Sequence, residues 1–415
     1  MIRNLFKNTY CEFLDFLAEG SFFHKISHIF YVSGPFFLLI ERSPADFWLS
    51  VCVIIFLTNS LIKKSWSWCR KIWVVSAFIF WGVALFSAAN SSMPLYSLGE
   101  AGAWFRFPLF AMASCYFFCV DKRVLYAMAL STFTGMILMT LILIAELLIV
   151  GQTSGRLSWP YGDLTPGSYL AKACLPIFCA LVAYAVSQHK TKNVIAGLVS
   201  LITIVVSLLA GERMNFLIRA CAGILSGLVW KPKKLVVLLL VLFEVIALSF
   251  VFNADETTAK RYSDSFFNQL PIHEESPYWR VWKGGIVAFQ QSPILGIGPD
   301  IYRKTCPELI GSRKDIDCHT HPHNFYIQLA GETGLIGVLS GTLMILAIIF
   351  TCFTHRLKSR DNIFTATAFI VPLAVFFPLQ STADFFGQWN NLFLWFGVAF
   401  ALSSGAALSK NRNIG

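Results

Sequence analysis

Residues 72–90 read IWVVSAFIFWGVALFSAAN, a run that contains no charged side chain. A helix needs about 20 mainly apolar residues to cross the hydrocarbon core of a bilayer, so this run predicts a membrane-spanning helix. Comparable apolar runs recur along the chain between short polar breaks. We predict about twelve spans, which lie near residues 26–40, 47–62, 72–90, 104–120, 124–150, 168–186, 193–210, 214–230, 235–252, 324–353, 363–380 and 392–408.

The composition agrees with a membrane protein. Of the 415 residues, 56% are hydrophobic and only 13% are charged, whereas a soluble domain carries about 25% charged residues. Lipid as the solvent explains this difference, because apolar side chains that face lipid carry no penalty. The predicted fold class is therefore an all-α integral membrane protein in contact with membrane lipids. The net charge of +10 does not require a nucleic-acid partner, and we expect none.

The basic residues predict the orientation of the chain, because Lys and Arg concentrate in cytoplasmic loops. They cluster in alternate breaks, at Lys63, Lys64, Arg70, Lys71, Lys122, Arg123, Lys190, Lys192, Lys231, Lys233, Lys234, Arg356, Lys358 and Arg360. Both termini are then cytoplasmic. Three parts follow: residues 1–252 with an N-terminal amphipathic segment and nine spans, a large periplasmic loop over 253–323, and residues 324–415 with three spans. We expect a multi-pass protein of the bacterial inner membrane.

The long loop is expected to be folded and functional, since connections beyond about 12–15 residues are usually functional or disordered. Residues 278–289 are aromatic and apolar enough to pack as a helix on the membrane surface. Cys306 and Cys318 are the two cysteines of the loop. An oxidising periplasm would permit a disulfide between them; the alternative is two unpaired thiols.

Residues 318–324 hold three histidines at alternate positions, His319, His321 and His323. One interpretation is a metal site, since His and Cys are common metal ligands. The other is a single functional histidine, His323, at the start of a helix, where imidazole serves as a general base near neutral pH. We favour the second and expect no metal. The Gly-rich run at 296–299 lacks the context of a nucleotide site.

Two arginines complete the candidate site. Arg213 interrupts an apolar stretch, where an ionisable side chain is costly and a functional candidate; the alternative is a snorkelling arginine paired with Glu212. Arg280 lies among aromatic residues of the loop, where a cation–π or headgroup contact is the alternative. Two guanidiniums facing a histidine would suit a diphosphate leaving group and a hydroxyl nucleophile. Snorkelling is the expectation for three other cations, Arg106, Lys172 and Arg219.

Three motifs resemble the O-antigen ligase and polymerase superfamily of bacterial envelope glycosyltransferases. The first is the small-residue run that ends in Arg213. The second is Arg280-Val281-Trp282 followed by the Pro-x-x-Gly-x-Gly pattern of residues 293–298. The third, and the most specific, is the His-Asn helix start over residues 321–329 with the Gly-rich turn at 332–337. The predicted layout, with one large periplasmic loop, also matches.

The resemblance implies a GT-C-like glycosyltransferase that moves a glycan from undecaprenyl diphosphate to a sugar hydroxyl without a cofactor. Arg213 and Arg280 would bind the diphosphate, and His323 would activate the acceptor. Glu212 departs from the small residue usual before the first arginine. Further substrate contacts are expected at Arg156, Trp282, Asn324 and Asp384.

We favour an O-antigen ligase, with lipid A-core as the acceptor. The close alternative is an O-antigen polymerase, which uses two substrates linked to undecaprenyl diphosphate. A lipid-linked oligosaccharide flippase or another transporter is an alternative from a different class. Transporters typically show inverted repeats and charges near the bilayer midplane, whereas this sequence shows no repeat.

Overall fold

A computed structural model describes residues 2–153, 155–163, 165–187, 191–230, 274–359 and 361–409, with short pieces between 238 and 270. These residues form helices and no β-strand; one isolated bridge joins Thr153 and Arg156. The predicted span at 235–252 and the first part of the predicted loop lie largely outside the described residues.

The helices of the first part are α1 (Ile2–Ala18), α2 (Phe22–Val32), α3 (Gly34–Ile40), α4 (Arg42–Ile62), α5 (Ile72–Ala89), α6 (Pro94–Trp104), α7 (Arg106–Tyr116) and α8 (Lys122–Ile149). After an irregular segment, a π-helical turn (Tyr169–Ala173) leads into α9 (Leu175–Ser187), α10 (Thr191–Leu209) and α11 (Arg213–Val229). The later helices are α12 (Pro277–Gln291), α13 (Tyr302–Ile310), α14 (Phe325–Lys358), α15 (Ile363–Thr367), α16 (Ile370–Val375) and α17 (Gln388–Ser409).

The all-helical membrane fold is confirmed. Six helices of the described residues are long and apolar enough to cross a membrane. The count is seven if Pro166–Ala173 and α9, which are bent by 60° relative to each other, form one span. Shorter apolar helices occupy the predicted spans at 193–210 and 363–380, and the predicted span at 26–40 is two helices. That break occurs because Pro35 sits in the first turn of α3, where proline starts a helix well but cannot continue one. The count of twelve stays a prediction.

The centre of the bundle is α17. Of its apolar window, 89% is buried inside the protein, against 39% for α4, α5, α8 and α14. Those four helices therefore keep apolar surface for lipid, as a membrane protein requires. Tryptophans pack around the centre: Trp104 meets Trp395 edge to face, with ring centroids 6.0 Å apart.

The Gly-rich run docks the loop onto a break in α14. The amide of Gly298 donates to the carbonyl of Glu332 (2.9 Å), and the amide of Leu335 donates to that of Pro293 (2.9 Å). Gly334 has φ +66° and Gly296 has φ +71°, values that favour glycine. A Cβ on Gly334 would overlap the carbonyl of Ile294. The glycines therefore serve close backbone packing.

Candidate functional site

A cleft lies where α11 and α12 approach the segment between α16 and α17. It is lined by Arg213, Met214, Gln269, Leu270, Tyr278, Trp282, Leu379 and Ser381. Arg213 is the first residue of α11, and its guanidinium donates to the carboxamide oxygen of Gln269. The structure therefore brings together two of the predicted site residues, Arg213 and Trp282.

His323 lies beside this cleft, just before α14. The ring of Tyr278, which lines the cleft, meets the His323 ring edge to face, with centroids 6.2 Å apart. The His323 backbone has φ +54°, a conformation uncommon for a residue other than glycine. The carbonyl of His323 accepts a hydrogen bond from the Thr382 amide (2.8 Å), which ties this turn to the segment between α16 and α17.

The surroundings of His323 keep its imidazole ring neutral. Burial, followed by the neighbouring His321 and His319, lowers the pKa of His323 to about 4, so its ring is neutral near pH 7. Nδ1 lies 3.4 Å from the carbonyl oxygen of Thr382. Because a carbonyl can only accept, this contact favours the tautomer protonated on Nδ1. The lone pair of Nε2 is then available to take a proton.

Arg280 points away from the cleft. Its Nη2 donates to Asp317 Oδ1 (2.8 Å) and to the carbonyl of Lys314 (3.0 Å). The reason is helical geometry: Tyr278 and Trp282 are four residues apart and share one face of α12, whereas Arg280, two residues from each, lies on the opposite face. The predicted convergence of Arg280 with Arg213 is therefore not present in this arrangement.

Asn324 forms the cap of α14. Its Oδ1 accepts from the amides of Tyr326 (3.0 Å) and Ile327 (3.2 Å), and its Nδ2 donates to the carbonyls of Pro378 (2.8 Å) and Gln380 (3.4 Å). These contacts use both donors and both acceptor positions of the carboxamide. They assign Asn324 to holding the turn that carries His323.

Asp384 belongs to a polar brace beneath the loop. Arg303 pairs with Asp384 and, through Nε, with Asp300 Oδ1 (2.8 Å). Gln328 of α14 donates to Asp384 Oδ1 (2.6 Å). Burial, and then the charge of Asp384, raises the pKa of Asp300 to about 7. Asp384 was predicted as a site residue, but its partners Arg303 and Gln328 were not, because they come from distant parts of the chain.

Arg156 packs against Gly211, two residues before α11. A Cβ on Gly211 would crowd the Arg156 side chain. The carboxylate of Glu212 accepts from Asn215 Nδ2 and attracts Lys172 and Arg156. The partners of Glu212 therefore include Asn215 of α11 and Lys172 of the π-helical turn.

The snorkelling predicted for Lys172 and Arg219 is wrong. Lys172 is buried and donates to Asn390 Oδ1 and Ser168 Oγ. Arg219 is fully buried, donates to Leu170 O (3.1 Å) and Thr203 Oγ1 (2.7 Å), and lies over the Phe178 ring. Interior hydrogen-bond acceptors explain the difference, because a buried cation is tolerated when it is paired.

Arg106 keeps a partly exposed side chain, which pairs with Asp46 (2.8 Å). An ion pair of this kind at a helix end is compatible with the predicted snorkelling.

Cys306 of α13 and Cys318 are joined in a disulfide, with Cα atoms 5.8 Å apart. The bond adjoins Asp317, the partner of Arg280. Within the described part of the chain, no group of three His, Cys, Asp or Glu side chains is arranged to hold a metal ion. His319, His321 and His323 lie near one another, but they do not form such a group.

The fold and the site define a class: a multi-pass helical membrane protein with a folded loop, a histidine and an arginine-lined cleft at one end of the bundle. Residues 198–340 match the family described as O-antigen ligase, a range that contains Arg213, Arg280 and His323. The chain therefore carries a domain of the O-antigen ligase and polymerase superfamily. A search of curated proteins finds no match.

Proposed function

We propose that the protein transfers an O-antigen glycan from undecaprenyl diphosphate to a sugar hydroxyl of lipid A-core. The observation that carries this proposal is the cleft inside the matched domain, which Arg213 and Tyr278 line and where the Tyr278 ring contacts the ring of His323. The proposed location is the periplasmic face of the bacterial inner membrane, with both termini cytoplasmic, since Lys and Arg concentrate in the breaks on the opposite side.

The proposed reaction needs two functions from the protein, removal of the acceptor proton and stabilisation of the leaving group. The acceptor oxygen attacks the anomeric carbon, the bond from that carbon to the diphosphate breaks, and the diphosphate leaves with the electron pair. Nε2 of His323 takes the proton of the hydroxyl. Arg213 stabilises the charge that develops on the diphosphate, for which a guanidinium offers paired donors. The lipid diphosphate is itself the activated substrate, so the proposal includes no nucleotide, metal or other cofactor.

Arg280 would join the diphosphate as a second guanidinium. In the described arrangement it pairs with Asp317, and both side chains are partly exposed, at 36% and 41%. Exposed pairs are weak, at about 0–1 kcal/mol. A diphosphate with two negative charges is a stronger partner than one carboxylate, so we propose that Arg280 exchanges partners when the donor binds.

A gene deletion tests the proposed function and separates it from polymerisation. Loss of all capped lipopolysaccharide, with polymer accumulating on its lipid carrier, supports a ligase. Lipopolysaccharide capped with single repeats indicates a polymerase, and an unchanged gel pattern contradicts both.

Point variants test the assigned residues in the same strain. We expect Arg280→Ala and His323→Ala to abolish capping at normal protein levels. Arg313→Ala is the matched control, because Arg313 is an exposed arginine of the same loop and lies outside the proposed chemistry. Full activity of either site variant would contradict its role.

A further inference from the structure

The cleft wall carries two aromatic side chains of one helix, and nothing in the proposed reaction yet explains both. Tyr278 and Trp282 lie four residues apart on α12 and line the cleft together with Arg213. The start of α12 is fixed, because the Ser276 hydroxyl accepts from the Trp279 amide (3.1 Å). The two rings therefore form a surface of defined position.

This surface is held rigidly relative to His323. Further along α12, Gly284, Gly285 and Ala288 are buried. A Cβ on Gly285 would crowd Ile327 in the first turn of α14, and a Cβ on Gly331 would lie 3.0 Å from the Gly285 carbonyl. Because α14 begins directly after the His323 turn, the close packing of α12 on α14 sets the position of the aromatic rings relative to the histidine.

Trp282 also presents an unused donor. Its Nε1 is buried, and no group among the described residues accepts a hydrogen bond from it. An unsatisfied buried donor costs about 1–3 kcal/mol, a cost that a ligand with a suitable acceptor would remove. Apolar walls with a few directed polar groups are typical of binding sites for small organic groups.

We propose that Tyr278 and Trp282 form a carbohydrate platform for the donor sugar attached directly to the diphosphate. A pyranose ring has an apolar C–H face, which packs on aromatic rings, and hydroxyls at its edge, one of which would accept from Trp282 Nε1. The inference rests on the proposed function, in which Arg213 binds the diphosphate.

Connectivity selects this sugar rather than the acceptor. The anomeric carbon is bonded to the diphosphate oxygen, so the first sugar lies in the same cleft as the phosphates held by Arg213. The Tyr278 ring, 6.2 Å from the ring of His323, would then bring that carbon toward the base. The isoprenoid chain would fit the apolar residues but would leave Trp282 Nε1 without an acceptor.

Direct binding to the purified full-length protein tests the platform without requiring turnover. Two ligands are compared: undecaprenyl diphosphate bearing one repeat unit, and undecaprenyl diphosphate without sugar. Trp282→Phe keeps an aromatic ring but removes the N–H together with the five-membered ring of the indole. The loss of one hydrogen bond alone predicts about a 2- to 12-fold higher Kd for the glycan-bearing lipid. Tyr278→Leu, which removes an aromatic face, should raise the same Kd. The Kd for the sugar-free lipid should stay unchanged in both variants.

Trp279→Phe is the matched control, since Trp279 lies on the same helix and does not line the cleft. Unchanged Kd values for the glycan-bearing lipid in both cleft variants would overturn the platform. An equal rise for both lipids would overturn it as well, because it would assign the aromatic rings to the isoprenoid or the diphosphate. Failure of the proposed function has a different signature: wild-type protein would then bind neither lipid diphosphate. Gel filtration of each variant checks that it is folded.

Discussion

The pair between Arg280 and Asp317 leads to a prediction whose size follows from the structure. Asp317→Asn removes the carboxylate that pairs with Arg280. The two side chains are 36% and 41% exposed, so the pair is worth about 0.2–1 kcal/mol. If Arg280 must leave Asp317 to bind the donor, the variant recovers that amount on binding. The expected result is a KM for the lipid-linked donor lowered by about 1.4- to 5-fold.

The assay measures initial rates of transfer by purified protein in nanodiscs while the donor concentration is varied. Asp315→Asn is the matched control, because Asp315 forms a similar pair with Lys283 (2.9 Å) on the same loop. We expect the control to leave KM unchanged. An unchanged or higher KM in Asp317→Asn would refute the exchange of partners, and a large loss of turnover would place Asp317 itself in the reaction.

Three further predictions concern charge, cross-linking and pH. Glu212→Gln removes the carboxylate that attracts the buried Lys172 ammonium and should cost about 3 kcal/mol of unfolding free energy, measured by unfolding in detergent. Adding Lys172→Met should restore part of that free energy, and additive losses would contradict an interaction between the two side chains. Cys306→Ser removes a cross-link between positions 12 residues apart and should lower the stability of the loop by about 2–4 kcal/mol. The loop should therefore be cleaved faster by a protease in the variant than in oxidised wild type, and equal rates would contradict a stabilising role of the disulfide. Because the pKa of His323 is lowered to about 4 and its neutral form is the base, the rate should be flat from about pH 5 to 7 and fall as the pH drops through about 4; a fall centred near 6.5 would contradict this environment.

The membrane class and the candidate motifs were predictable from local sequence. Apolar runs such as residues 72–90 reveal spanning helices because lipid selects against charge over the whole length of a span. The turn at His323 was predictable as a helix start, since Asn is a favoured cap. These features depend on neighbours in the chain, so a single sequence carries them.

Other features depend on distant residues and were not predictable. Lys172 and Arg219 were expected to reach the membrane surface, but their partners Asn390 and Thr203 supply acceptors inside the bundle. The partner of Arg280 was not predictable either, because Asp317 reaches it only through folding of the loop. The relation of Tyr278 to Trp282 did have a local signal, because residues four apart share a helix face.

The central claim is that His323 removes the acceptor proton in transfer from the lipid diphosphate bound at Arg213. The most direct test compares wild type with His323→Ala in nanodiscs, using purified lipid-linked donor and lipid A-core, and measures kcat together with the Kd of the donor. We predict that kcat falls about 10²- to 10⁴-fold, the contribution of a general base, while the donor Kd is unchanged. A variant that keeps kcat within a few-fold of wild type would contradict the account.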